Sequence, residues 1–206
     1  MDTPKDRTSR TINQYEQIAS AYAQNIADRA PQKELEKFIS QIPSGGKILD
    51  VGSAAGRDTR IFYDKGFDVC GIDLSQELIA IARRQNPGID FFFADVRQLP
   101  FSDNIFDGIW SNAVFEHLDK IEMVQSLDEW KRVLKKGGLL YLRTKMGSGS
   151  IKISDELSQG QEREFTLLSE EELKKMIQDS GLNLSESYQT KDETRDLTWI
   201  NTFSKK

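Results

Sequence analysis

Three aspartates are the residues of this sequence best placed to bind a ligand. Asp50, Asp73 and Asp95 each come at or near the end of a segment with the apolar pattern of a buried strand. A carboxylate in that position can accept hydrogen bonds from ribose hydroxyls or from the amino group of a base. Because a buried carboxylate without a partner is costly, the pattern predicts ligand contacts for all three, against the alternative that they cap helices or close turns.

A loop of small residues follows Asp50 and reads GSAAG, from Gly52 to Gly56. Small residues let a ligand approach the backbone, and the helix that follows offers free N–H groups to an anion. The dinucleotide fingerprint GxGxxG would need glycine where Ala54 and Arg57 stand, and no P-loop lysine follows. The loop therefore disfavours a pyrophosphate and leaves room for a carboxylate, with Arg57 as a solvated first-turn residue.

His117 is the only histidine and follows the fourth predicted strand. An imidazole titrates near neutral pH and is the usual general base, so His117 is a candidate catalytic residue; the alternative is a histidine that orders its loop. Farther along, Arg143, Lys145 and Arg163 are candidates for holding an anionic group, although exposed basic side chains are usually only solvated. No Cys and His cluster has metal-ligand spacing, so we expect no metal site.

The elements that must position these residues alternate between strand and helix from about residue 44, which is typical of an α/β sheet with crossover helices. Helices are predicted after the small-residue loop, after the N-cap Ser75, over 121–134, and from the capping box of Ser169 and Glu172. Strands are predicted over 47–51, 67–73, 89–96, 106–112, 138–144, 182–189 and 197–204.

Two segments outside this alternation are expected to shape the site. Residues 11–42 form a helical segment broken near Pro31, which we interpret as a lid on the binding edge of the sheet. The polar, glycine-rich segment 145–166 is expected to be a mobile loop over a polar substrate. We therefore predict a single domain over 1–206, divided into a cap (1–43), a cofactor-binding core (44–144), a substrate-side insertion (145–168) and a C-terminal part (169–206).

Composition narrows the class of protein. The chain has 206 residues, 37% hydrophobic and 30% charged, and these are ordinary values for one globular domain. With 28 basic against 33 acidic residues and no basic cluster, a nucleic acid is disfavoured as the main partner. No apolar run is long enough for a membrane span. The absence of a secretory signal, together with a single cysteine, predicts a cytoplasmic protein.

Four motifs in fixed order resemble a known family. They are DVGSAAG (50–56), GIDLS (71–75), FFFADVRQLPFSDNIFDGIWSNAVFEHL (91–118) and LKKGGLLYL (134–142). In this order they resemble the class I S-adenosylmethionine-dependent methyltransferases of the small-molecule type, similar to ubiquinone and menaquinone methyltransferases. The resemblance implies a Rossmann-like doubly wound sheet of seven strands, mostly parallel with an antiparallel last strand, an N-terminal helical cap, and S-adenosylmethionine as cofactor.

The resemblance also implies which residues hold the methionine part of the cofactor. These are Asp50 and the loop residues Gly52, Ser53, Ala54 and Gly56. The departure from the family pattern is Ala54, where the family most often has glycine. One methyl group narrows the pocket without closing it, and we expect Ala54 to keep an ordinary backbone conformation.

The adenosine part is assigned in the same way. The resemblance implies that Asp73 binds the ribose hydroxyls and that Leu74 covers the adenine. Asp95 and Val96 would then address the edge of the adenine ring.

The remaining implied positions lie around the transferred methyl group. Ser111 and Asn112 would lie under the amino-acid portion of the cofactor. Tyr15 and Tyr22, seven residues apart on one helical face, resemble family tyrosines that close over the cofactor and the methyl group, and the alternative is a pair of core aromatics. With His117, Tyr22 is therefore a candidate catalytic residue, and Tyr15 a candidate cofactor contact.

The implied activity is in-line methyl transfer to a small polar acceptor. Three alternatives stay open: a methyltransferase acting on tRNA or another RNA, a protein that binds the cofactor without transferring its methyl group, and a nicotinamide oxidoreductase on the same type of sheet. The sequence does not indicate the acceptor, the atom methylated or the oligomeric state.

Overall fold

Nine strands and six helices form the part of the chain that the computed structural model describes, residues 4–154, 159–160, 162–192 and 195–206. The strands are β1 Lys47–Val51, β2 Asp68–Asp73, β3 Asp90–Phe93, β4 Phe106–Asn112, β5 Leu134–Lys145, β6 Gly149–Ile153, β7 Arg163–Leu167, β8 Asn183–Lys191 and β9 Thr198–Lys205. The helices are α1 Pro4–Ile26, α2 Gln32–Ile39, α3 Arg57–Asp64, α4 Gln76–Gln85, α5 Lys120–Val133 and α6 Glu170–Asp179.

Seven of these strands form one sheet in the order β3-β2-β1-β4-β5-β9-β8. Strands β1 to β5 pair in parallel, whereas β9 runs antiparallel to both of its neighbours. The chain moves outward from β1 on one side and from β4 on the other, so the carboxyl ends of β1 and β4 flank the point where strand order reverses. This arrangement confirms the predicted sheet and places the small-residue loop at its binding edge.

Local sequence signals explain where the helices begin. The Ser75 side chain accepts a hydrogen bond from the backbone N–H of Leu78, and Ser169 and Glu172 form the predicted capping box of α6. A second capping box, Asp119 with Glu122, opens α5. These caps satisfy backbone N–H groups that have no partner within the helix, and they therefore fix the helix starts beside the sheet edge.

The core lies on both faces of the sheet and contains the three tryptophans. Trp110 and Trp130 are fully buried and Trp199 is nearly so. Trp110 stacks on Tyr141 with ring centroids 4.0 Å apart. Cys70 is buried in β2, and burial raises the pKa of its thiol to about 12, so it is a packing residue.

The segment after β5 differs from the prediction of a mobile loop. Strands β6 and β7 pair antiparallel from Gly149 opposite Leu167 to Ile153 opposite Arg163. Four of the five residues of β7 are buried, and Phe165 is exposed by only 1%. The loop prediction was therefore wrong for the described residues, because the apolar positions of β7 supply a packed face; residues 155–158 and 161 lie outside the described part.

Helix α1 covers the binding edge and is held at both of its sides. Glu16 accepts hydrogen bonds from the backbone N–H groups of Gln76 (2.5 Å) and Glu77 (3.1 Å) at the start of α4. On the opposite side the Gln14 side-chain amide donates to the carbonyl of Glu162, at the entry to β7. The helix begins at Pro4, earlier than the predicted residue 11, and α2 follows the predicted break. Among the described helices, none is long and apolar enough to cross a membrane.

Candidate active site

Two adjoining cavities lie between α1 and the carboxyl edge of the sheet. We call the first the apolar cavity. The residues that line it alone are Thr8, Thr11, Ile12, Asp73, Leu74, Ser75, Leu78, Val96, Val114 and Leu118. We call the second the polar cavity. The residues that line it alone are Ile26, Arg29, Asp50, Ser53, Arg57, Asp58, Arg143, Lys145, Arg163, Arg195 and Trp199. Seven residues line both cavities, and we call them the common wall: Tyr15, Tyr22, Gly52, Ala54, Asn112, Ala113 and His117.

Because the two cavities meet at the residues of the common wall, they form one site. The empty space between their walls is about 770 Å³ in the apolar cavity and about 760 Å³ in the polar cavity, open solvent included. One side is lined by aliphatic groups suited to a flat ring, and the other by charged groups suited to ionic ends. A ligand with an apolar end and a zwitterionic end would therefore occupy both cavities, with one end in each.

The small-residue loop turns sharply at the junction. Gly52 has φ +70°, and a Cβ there would come within 2.1 Å of the Val114 side chain, so only glycine fits. Ala54 has φ +48°, which contradicts the expectation of an ordinary backbone for this residue. The left-handed conformation directs its N–H to the Asp73 carboxylate, 2.9 Å away. Gly56 (φ +84°) packs against Phe91 and lines neither cavity.

Asp73 is the acid nearest this loop and lies at the end of β2. One of its oxygens accepts from the backbone of Ala54 and the other from the backbone of Ser75, each at 2.9 Å. Burial raises the pKa of its carboxyl group, while these hydrogen bonds oppose the rise. Each carboxylate oxygen retains acceptor capacity toward the apolar cavity, which suits a pair of hydroxyl groups.

Of the three residues expected around the adenine ring, two line the apolar cavity and one lies outside both cavities. Leu74 and Val96 line the apolar cavity. Asp95 lies outside both cavities, because β3 ends at Phe93 and the chain then turns so that Asp95 forms an ion pair with Arg97 at 2.6 Å. The predicted contact of Asp95 with a base is thus not supported by its position, and Arg97 occupies its oxygens instead.

Asp50 and Asp58 lie close together on the floor of the polar cavity. Thr59 donates a hydrogen bond to Asp50 at 2.6 Å. Burial, and then the negative charge of Asp58, raise the pKa of Asp50 to about 8. The pKa of Asp58 is lowered against the effect of burial by the Arg57 guanidinium, which binds it with two hydrogen bonds. At neutral pH the pair therefore carries one ionised carboxylate, Asp58, and one largely protonated group.

Asp58 also organises the end of β4, a role that sequence reasoning missed. It accepts hydrogen bonds from the Trp110 indole and from the Asn112 amide, both at 2.9 Å. Asn112 thereby keeps its side-chain oxygen toward the polar cavity. Ser111 is fully buried, lines neither cavity, and its hydroxyl has no partner among the described residues.

His117, in a short 3-10 helix over Phe115–His117, lies beside Tyr15 at the common wall. Its Nε2 lies 3.1 Å from the Tyr15 hydroxyl, which also accepts a hydrogen bond from Arg163 at 2.9 Å. The Tyr22 ring packs edge-on against Tyr15, with centroids 4.9 Å apart. Nδ1 of His117 is buried and has no partner among the described residues. Burial, followed by the charge of Lys145, holds the pKa of His117 well below its usual value.

The far wall of the polar cavity carries a buried ion pair that sequence reasoning also missed. Lys145 binds Glu116 at 2.6 Å, and Thr144 donates to the other oxygen of Glu116. The Arg143 guanidinium lies 4.1 Å above the Trp199 ring. The predicted basic residues Arg143, Lys145 and Arg163 therefore line one cavity instead of standing in solvent. No group of three potential metal ligands occurs in the described part of the chain.

Comparison with known proteins agrees with this geometry. Residues 49–142 match a family model described as a methyltransferase domain. A demethylmenaquinone methyltransferase from Paenarthrobacter aurescens is 36% identical over 98 residues, which cover 48% of this chain and 38% of that protein. A malonyl-(acyl-carrier protein) O-methyltransferase from Enterobacter lignolyticus is 28% identical over 134 residues, covering 62% of this chain and 53% of that protein. The chain thus spans about half, or less, of these curated relatives.

Solved structures share the fold over the whole chain. The 1,6-didemethyltoxoflavin-N1-methyltransferase of Burkholderia thailandensis, solved with 1,6-didemethyltoxoflavin and S-adenosylhomocysteine, has a TM-score of 0.77 at 18% identity and covers 100% of this chain and 91% of that one. At that identity the likeness concerns the fold. The domain match over 49–142 and the curated relatives, together with the shared fold, support a class I methyltransferase domain with S-adenosylmethionine as its cofactor.

Proposed function

We propose that the protein transfers the methyl group of S-adenosylmethionine to a small polar acceptor by in-line displacement. The observation that carries the proposal is the common wall, where an apolar and a polar cavity meet at the small-residue loop. S-adenosylmethionine supplies a methyl group on a positively charged sulfonium. The task of the protein is then to hold acceptor and cofactor in line and away from water, which is worth about 7–11 kcal/mol for well-oriented reactants.

The residues present suit the two ends of this cofactor. Asp73 is positioned to accept hydrogen bonds from the ribose hydroxyls, and Leu74 and Val96 offer aliphatic surface to the adenine. The backbone of Gly52 and Ala54, with Asn112 beside it, would hold the methionine part at the common wall. Val114 leaves no space for a side chain at Gly52. This position therefore requires glycine, whose backbone a ligand is able to approach closely.

His117 and the two tyrosines would face the reacting atoms. Tyr15 stays protonated at neutral pH, because burial and then Tyr22 raise its pKa well above 10. His117 is neutral there, because burial lowers its pKa, and a neutral imidazole is able to accept a proton. A general base whose pKa lies near the operating pH contributes roughly 10²–10⁴-fold for a hydroxyl or acidic-carbon acceptor, and the lowered pKa of His117 places its contribution below that range; a neutral amine would need less help.

A panel of small acceptors, assayed for release of S-adenosylhomocysteine, tests the proposal. We expect turnover with at least one small polar acceptor, and binding of S-adenosylhomocysteine in the absence of any acceptor. Cofactor binding without turnover across hydroxyl, amine, thiol and carboxylate acceptors would favour a cofactor-binding protein. Turnover with folded RNA alone would favour the RNA-modifying alternative. His117→Gln should slow turnover with a hydroxyl acceptor while leaving cofactor affinity within about twofold of wild type.

A further inference from the structure

We infer that the methyl acceptor is a small acid, whose carboxylate or phosphate is held by the Arg143 guanidinium in the polar cavity. This inference rests on the proposed function, because it names the class of molecule that receives the methyl group. It is carried by the charge balance of the polar cavity and by the unmatched hydrogen-bond donors of Arg143.

Arg143 has fewer partners than a guanidinium in such a place requires. Its Nε is buried without a hydrogen-bond partner among the described residues. Its Nη1 donates to the Asn112 side chain over a long 3.4 Å, and no carboxylate of the described part of the chain lies within ion-pair distance of 4.0 Å. Below it lies the Trp199 ring, which offers a π-face but no acceptor. Arg143 is half-buried, and its buried Nε–H without an acceptor is costly unless a ligand supplies one.

Other charges offset Arg143 only in part, because Glu34, Glu116 and Asp192 act on it from beyond ion-pair distance. Three further cations each have a carboxylate of their own, namely Arg57 with Asp58 at 2.7 Å, Lys145 with Glu116 at 2.6 Å and Arg195 with Asp192 at 2.5 Å. Asp50 is the remaining acid in the lining, and burial raises its pKa to about 8, so it is mostly protonated at neutral pH. The cavity is therefore positive at its centre, although the whole chain has a net charge of −5.

The position of Arg143 separates it from the place expected for the methionine carboxylate of the cofactor. That carboxylate would lie at the loop after β1 and the start of α3. Arg143 is on β5, which is two strands from β1 in the sheet, with Asn112 of β4 opposite it in the register. Neighbouring strands are about 4.8 Å apart, so the backbones of β1 and β5 are roughly 10 Å apart. Because its backbone lies away from that loop, we assign the guanidinium to a second anion, that of the acceptor.

A guanidinium also sets the geometry of that second anion. Its planar fork matches the two oxygens of a carboxylate or phosphate, which a lysine cannot do. Lys145, paired with Glu116, and Arg163, which donates to the Tyr15 hydroxyl, line the same cavity. With its anionic end on Arg143, the acceptor would direct its other end toward His117 and Tyr15 on the common wall, where the methyl group is transferred.

Calorimetric titration of the full chain saturated with S-adenosylhomocysteine tests the inference. Inorganic phosphate and succinate are the probes, and sodium chloride at matched ionic strength is the control for screening. We expect at least one probe to bind to the saturated protein. Arg143→Met should weaken that binding roughly ten- to a hundredfold, as expected for loss of a charge-assisted pair, and Arg143→Lys should weaken it less. The exposed Arg84→Met is the matched control and should bind like wild type.

Each outcome of the titration is decisive. Binding of phosphate alone or of succinate alone identifies which anion the acceptor carries and supports the inference. Competition between the probe and S-adenosylhomocysteine would overturn it, because the cations would then serve the cofactor. Absence of probe binding, or equal binding by wild type and Arg143→Met, would also overturn it. Failure of S-adenosylhomocysteine itself to bind would contradict the proposed function instead, and retained cofactor affinity in both Arg143 variants verifies their folding.

Discussion

His117 is the residue whose protonation bears most directly on the chemistry of the site. Burial lowers its pKa, and the positive charges of Lys145, Arg163 and Arg7 act in the same direction. Because it is the only histidine, its ring protons give a single set of NMR signals. We predict that these signals do not titrate between pH 6.5 and 8. A midpoint at or above 6.5 would contradict a neutral, buried imidazole.

The same shift has a consequence for stability. The folded pKa lies below the unfolded value near 6.5, so below about pH 6.5 the unfolded chain binds a proton that the folded chain does not. Lowering the pH through this range therefore removes stability. His117→Gln should flatten this part of the profile, measured by urea unfolding at a series of pH values, whereas an unchanged slope would assign the pH dependence to other groups.

Ala54 allows a second test at the residue scale. Its φ of +48° lies in the left-handed region, which costs a residue with a Cβ roughly 1–2 kcal/mol. Ala54→Gly relieves that cost but gives the unfolded chain about 0.4–1 kcal/mol of entropy, so we predict a gain in unfolding free energy of about 0–1.6 kcal/mol. The neighbouring Ala55→Gly, at a residue without positive φ, is the matched control and should lose about 0.5–1 kcal/mol. Equal losses in both variants would contradict a strained Ala54.

Sequence reasoning located part of the site and missed the part that depends on distant partners. Asp73 follows from a strand end, and Leu74 and Val96 follow from the family resemblance; the structure brings all three to one cavity. Asp58 and Glu116 gave no such signal. Their acidic groups are buried because donors far along the chain reach them, Trp110 and Asn112 for Asp58 and Lys145 for Glu116. Such pairing is a property of the folded sheet, and spacing along the chain does not encode it.

At the scale of elements, the strands were predictable and the hairpin was not. Strands β1 and β4 follow from apolar runs, and their observed bounds, Lys47–Val51 and Phe106–Asn112, equal the predicted ones. The hairpin of β6 and β7 has mostly exposed residues in β6, so its sequence resembles a polar loop. Its regular structure comes from pairing between strands and from the buried face of β7, which a single segment does not reveal.

Helix α1 is the element whose movement would admit the cofactor. Glu16 holds it to α4 by accepting from two backbone N–H groups at the helix start. Glu16→Ala removes both contacts at a cost of about 0.5–2 kcal/mol, by analogy with helix N-caps. Hydrogen exchange of α1 amides should then speed up about fivefold for each kcal/mol lost, with exchange in β4 unchanged.

Glu36→Ala, at an exposed position of α2, is the control for this element and should leave exchange in α1 as it is in wild type. If Glu16→Ala also leaves that exchange unchanged, the contact between α1 and α4 does not hold the lid.

At the scale of the whole molecule, the overall charge and the charge of the site have opposite signs. The chain is acidic, yet its polar cavity is lined by six basic and two acidic side chains. The net charge of the chain, −5, did not indicate that the polar cavity is lined mainly by basic side chains. The site is instead defined by topology, because strand order brings the ends of β1, β4 and β5 next to one another under α1.

The central claim is that the two cavities together hold S-adenosylmethionine, and calorimetry with S-adenosylhomocysteine and NAD tests it most directly. We predict one S-adenosylhomocysteine bound per chain and no detectable binding of NAD. Asp73→Ala should weaken the interaction roughly tenfold or more, because the ribose hydroxyls lose a charged acceptor. Tight binding of NAD, with none of S-adenosylhomocysteine, would contradict the account.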